Sequence, residues 1–111
     1  MNFFLEEVDG VKIIRIKEER LDTNVAPDLK AQLLVLIGEG KKVLLDLSDV
    51  QYADSSGLGA ILLGFRHARD NGGDFAICEV QKRVQSLIDI AQLKGVIKSF
   101  ATRQDAIEAI K

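Results

Sequence analysis

The chain has 111 residues, enough for a single domain (residues 1–111) with one hydrophobic core. Apolar residues make up 47% of it and the formal net charge is -2, with both signs spread along the chain. That balance excludes a disordered segment and leaves no basic patch for nucleic acid or an anionic membrane.

Asn2 to Val8 and Val11 to Lys17 are predicted strands, the second alternating as a half-buried strand does. Asp9-Gly10 between them is a hairpin signal, because glycine tolerates the positive φ of a tight turn. Leu29, Leu33, Leu36 and Ile37 recur at helical spacing, with Pro27 near the helix start and Gly38 and Gly40 at its end. Val43 to Leu47 is a short apolar run of the kind covered on both faces of a sheet. Ser55 to Asn71 reads as a helix with Leu58, Ile61, Leu62, Phe65 and Ala68 inward, stopped by Gly72-Gly73. Asp74 to Val80 is the next strand. Gln81 to Gln92 is an amphipathic helix carrying Val84, Leu87, Ile88 and Ala91. Val96 to Phe100 is a last short strand. Thr102 and Asp105 resemble a capping box that opens a helix with Ala106, Ile107 and Ile110 inward. The order β-β-α-β-α-β-α-β-α predicts an α/β fold with a small, mixed, mostly parallel sheet under helical cover.

Cys78, the single cysteine, rules out an intramolecular disulfide and reads as a small buried hydrophobe. Glu6, Glu7 and Asp9 interrupt the first apolar stretch, so no signal peptide opens the chain. No apolar run approaches the roughly 20 residues of a membrane span. A soluble, cytoplasmic protein is expected.

Catalytic chemistry finds little to work with. His67 is the only histidine and stands about three helical turns from the serines, out of reach as a base. One His and one Cys in separate segments do not make a zinc site, and the carboxylates show no calcium-loop spacing. Gly57-Leu58-Gly59 opens a helix after a strand, but Leu62 stands where a dinucleotide motif needs its third glycine. No catalytic residue, metal ligand or cofactor site is therefore assigned, and the chain is not read as an enzyme. Arg66, His67 and Arg69 read as a solvated helix face.

The stretch Val50 to Gly59 is a polar, small-residue connection between a buried strand and a helix. One reading is an N-cap, a Ser or Asp side chain accepting a backbone N–H. The other is a charge switch, because a phosphorylated hydroxyl at a helix N-terminus would add about -1.5 to -2 charges. The helix end tolerates such a charge through its free N–H groups, whereas a partner packed on the loop does not.

Asp54-Ser55-Ser56-Gly57-Leu58-Gly59, preceded by Val43-Leu44-Leu45-Asp46-Leu47-Ser48-Asp49-Val50, resembles the signature of bacterial anti-sigma factor antagonists, the stand-alone STAS domains. The resemblance extends to Leu21-Asp22, Gly72-Gly73 and the closing Asp105-Ala106 helix. Glu18 to Asp22 departs from the pattern, lacking a glycine that the family often carries there. The resemblance implies a STAS fold, about four helices lying mainly on one face of the sheet. It implies an unphosphorylated form that binds an anti-sigma factor serine kinase with a histidine-kinase-like ATPase fold, releasing a sigma factor. It further implies phosphorylation of Ser55 by that kinase and its reversal by a PP2C-type phosphatase. Asp54 would hold the loop, Ser56 and Gly57 would shape the helix start, and Asp22 would join the partner surface. The alternative within the family is a constitutive interaction module, either a stress-signalling scaffold or the soluble part of a transport complex.

Overall fold

The computed structural model describes residues 1–111. Strands β1 (Phe3–Val8) and β2 (Val11–Ile16) form an antiparallel hairpin in which Val8 pairs with Val11. The two turn residues, Asp9 and Gly10, have φ of 52° and 79°. A two-residue turn of this hand needs positive φ at both positions, which Asp tolerates and Gly adopts freely.

Helix α1 (Ala26–Leu36) follows a two-residue strand β3 (Arg20–Leu21), and β4 (Lys42–Asp46) then adds parallel to β2. A second two-residue strand, β5 (Tyr52–Ala53), leads into helix α2 (Ser55–Asp70). Strand β6 (Asp74–Cys78), helix α3 (Lys82–Ile90), strand β7 (Lys98–Phe100) and helix α4 (Arg103–Ile110) complete the chain. The main sheet has the order β1-β2-β4-β6-β7, parallel except for the β1–β2 pair.

The period-two alternation of side chains divides the core. Ile14, Ile16, Val43, Leu45, Phe75 and Ile77 point toward α1, α2 and α3 in a cluster of 20 buried residues. Val11, Ile13, Leu44, Ala76 and Cys78 point the other way, where α4 supplies Ala106, Ile107 and Ile110 to a cluster of 8. Three helices thus cover one face and the fourth covers the other. Strand β2, predicted half-buried, is buried on both faces because α4 folds back over Val11 and Ile13.

Four local expectations change. Strands β3 and β5 pair in a separate parallel sheet that no hydrophobic periodicity announced. Ala91 is exposed as the α3 C-cap rather than inward, since the helix stops at Ile90. The last strand begins at Lys98, because Leu93 to Ile97 form turns and Val96 is 46% exposed. Glu79, at φ 58°, ends β6 before the predicted Val80.

Candidate functional site

Asp54 is the N-cap of α2. Its Oδ1 accepts the backbone N–H of Ser56 at 2.9 Å and of Gly57 at 3.1 Å. These are two of the donors that every helix start leaves without an intrahelical partner. The cap role therefore falls on the aspartate, which leaves the neighbouring hydroxyls uncommitted. Ser55, the first helical residue, is exposed, and Ser56 is half-buried. Neither hydroxyl makes a hydrogen bond within the chain. Of the two readings of this loop, the N-cap is realised by Asp54, and it is compatible with a chemically available Ser55.

Gly57 is buried where α2 meets β3. A Cβ there would fall on the Leu21 carbonyl oxygen and lie 2.8 Å from the Leu21 Cγ. The same carbonyl accepts the Asp54 N–H at 3.2 Å. With Leu21 opposite Ala53 in the β3–β5 register, the helix start is locked to the segment before α1. Asp22 follows directly. Its Oδ1 accepts the Asn24 N–H at 3.0 Å, and its carbonyl accepts the N–H groups of Val25 and Ala26. Asp22, Asp54, Ser55, Ser56 and Gly57 thus gather at one corner, joined through the two-residue sheet.

Residues outside the predicted site extend this corner. Tyr52, Ala53, Leu87 and Ile90 line a shallow hollow of ≈ 400 Å³, flanked by Arg83 and Ser86. The Arg20 guanidinium lies 4.9 Å from the Tyr52 ring centroid. Ile90 is 79% exposed. An available signal was its position off the inward Val84–Ile88 line of α3. On the other side, α2 presents Gly59, Leu63 and Arg66 toward Lys30 and Leu34 of α1. His67 is half-buried rather than solvated: Asn71 Nδ2 donates to its carbonyl at 2.7 Å and lies 3.4 Å from its Nδ1.

A second corner carries a different chemistry. Asp46, buried at the end of β4, accepts from Arg103 at 2.8 and 3.0 Å and from the Ser48 N–H at 2.9 Å. Burial disfavours the Arg103 charge, but Asp46 and Glu6 outweigh it and raise its pKa above the ordinary arginine value. The Arg15 hydrogen bonds hold the Asp49 carboxyl below the usual aspartate range. Cys78 lies between β6 and α4, where burial first and the Asp46 carboxylate second push its thiol up to about 12. A thiol so placed is not a nucleophile at neutral pH. No group of three or more His, Cys, Asp or Glu side chains is disposed to hold a metal ion. No helix is long and apolar enough to cross a membrane.

The family model described as "STAS domain" matches residues 2–106, and the chain belongs to that family. Among characterised relatives, the anti-sigma F factor antagonist of Paenibacillus polymyxa is 28% identical over 109 residues, covering 96% of this chain and 92% of the relative. The anti-sigma-B factor antagonist of Bacillus subtilis is 31% identical over 88 residues, covering 79% and 81%. The fold superimposes on an anti-sigma-factor antagonist (STAS) domain protein from Planctomyces limnophilus with a TM-score of 0.89, at 21% identity and 97% coverage of both chains. The mixed sheet and four helices are those of the STAS fold.

Proposed function

We propose that this chain is an anti-sigma factor antagonist controlled by phosphorylation of Ser55. Unphosphorylated, it binds an anti-sigma factor that is also a serine kinase of the histidine-kinase-like ATPase fold, and a sigma factor is released. The kinase then phosphorylates Ser55 and binding is lost; a PP2C-type phosphatase restores it. The action is binding in the cytoplasm by one folded unit, not catalysis by this chain.

The observation that supports this reading best is the separation of roles at the α2 start. Asp54 satisfies the backbone N–H groups, so the exposed Ser55 hydroxyl is not needed for the fold. A phosphate placed there adds its charge at the positive end of the helix dipole, which favours it locally. A partner packed against the same loop instead meets a desolvated dianion beside Asp54, which costs several kcal/mol of binding. The names of the relatives support an anti-sigma factor as that partner. The Tyr52–Leu87–Ile90 hollow, which includes Ala53 of the same loop, offers apolar surface for the same contact.

The test is affinity capture from lysate of the native host, with wild-type and Ser55→Asp proteins as paired baits and mass spectrometry as the readout. An anti-sigma factor ATPase retained by the wild type and lost from Ser55→Asp supports the switch. Equal retention by both baits moves the reading to a constitutive interaction module.

A further inference from the structure

The exposed stripe of α2 does not stop at Ser55. Ser55, Gly59, Leu63, Arg66 and Asp70 follow one another at steps of three or four residues, so they share one helix face. Gly59 lies about 6 Å along the axis from Ser55. Beyond Ser55, the stripe residues Gly59, Leu63, Arg66 and Asp70 line, with His67 and with Lys30 and Leu34 of α1, a groove of ≈ 430 Å³ between the two helices.

Three features of the groove have no use inside the molecule. Gly59 is a helix-interior glycine whose added Cβ would meet nothing within 4 Å. Alanine there would favour the helix, so the fold does not require the glycine. By contrast, Gly57 on the same helix is forced by the Leu21 backbone, and Gly64 is crowded by the Leu33 and Phe75 side chains. Next, Leu34 is 49% exposed on the groove wall, and Val35 beside it on α1 is 79% exposed. Finally, Lys30 and Arg66 make no ion pair or hydrogen bond, which leaves both cations open to a partner's carboxylates. Asp70, the one acid in the groove, has Arg69 within 3.7 Å.

We infer that the α1–α2 groove is the seat of an acidic, amphipathic segment of the anti-sigma factor. Its apolar residues lie on Leu34 and Leu63, its carboxylates face Lys30 and Arg66, and its backbone closes onto Gly59. The inference rests on the partner-switching reading of Ser55 and deepens it. The sign of the switch then follows from charge. A dianion at Ser55, at the head of the stripe, repels an acidic segment, whereas it would attract a basic one.

The test adds two baits to the paired capture, Lys30→Glu/Arg66→Glu and Gly59→Gln, and measures the affinity of each for the captured anti-sigma factor made recombinantly. Both variants are expected to weaken binding by about tenfold or more, with the wild-type affinity falling as salt is raised. Gly59→Gln is expected to melt no lower than the wild type, a result that a merely structural glycine would not give. Retention of the anti-sigma factor by both groove variants, with loss from Ser55→Asp alone, overturns the groove and leaves the switch standing. If the wild type itself retains no anti-sigma factor, both readings fall. Concentration-dependent dimerisation that Arg66→Glu abolishes also overturns the inference, since the occupant is then a second copy of this chain.

Discussion

Asp46 and Asp54 stand in matched positions and do opposite things. Each lies at the C-terminal end of a strand, and each accepts the backbone N–H two residues ahead at 2.9 Å. Asp46 is 3% exposed, and its second oxygen is held by Arg103. The charges around it are paired in turn: Arg103 also meets Glu6, and Asp49 binds both Arg15 and Lys17. Asp54 holds two helix N–H groups and stops there, with the hydroxyls of Ser55 and Ser56 uncommitted beside it. The first corner is closed on itself and fastens α4 to the sheet. The second leaves polar groups available to another molecule, which is what a regulated docking surface requires.

The comparison breaks hardest at Gly57. Gly57→Ala drives a methyl group into the Leu21 backbone and is expected to cost about 3 kcal/mol, seen as a lower urea midpoint, with partner binding lost as the corner distorts. Arg103→Ala leaves the buried Asp46 carboxylate without its main partner. About 2–3 kcal/mol of stability should disappear in thermal melts, while binding at the Ser55 corner survives in the fraction that stays folded. Asp54→Ala removes the helix cap for about 1 kcal/mol, and Asp54→Asn recovers most of it; equal loss from both would show that the cap is not what Asp54 supplies. Ser55→Ala should change stability by less than about 0.5 kcal/mol and keep the partner, but accept no phosphate from the kinase.

The smallest effect is one of pH. The Asp49 carboxyl is depressed by its Arg15 hydrogen bonds, so its contribution is present above the ordinary aspartate pKa and fades as pH falls through the lowered one. Asp49→Asn should flatten that acid limb slightly, and high salt should do the same to the wild type, because the group is partly open to solvent.

Much of this fold was legible because its signals are local. The Asp9-Gly10 turn, the apolar run of β4 and the Ser55 to Asn71 helix each follow from period, turn chemistry or a stop signal within a few residues. The two-residue strands β3 and β5 carry no such signal. Arg20-Leu21 and Tyr52-Ala53 become strands only because they lie side by side, some thirty residues apart in sequence. The Tyr52–Leu87–Ile90 hollow escaped notice for a related reason: Ile90, the last residue of α3, meets Tyr52 and Ala53 of β5 only in the folded chain.

By itself the sequence determined the order of the main-sheet strands and the helices, the α/β class and the position of the small, polar loop ahead of α2. Backbone propensity and side-chain period act over a few residues and need no partner from elsewhere. Only the tertiary structure decided which residue of Asp54-Ser55-Ser56 would cap the helix and which would stay free. It also decided that Gly57 must be glycine while Gly59 need not be, that Asp22 would sit at the same corner, and that α4 would cross to the other face. Those outcomes depend on what approaches each residue from distant parts of the chain, and packing at van der Waals distance is a property of the assembled fold.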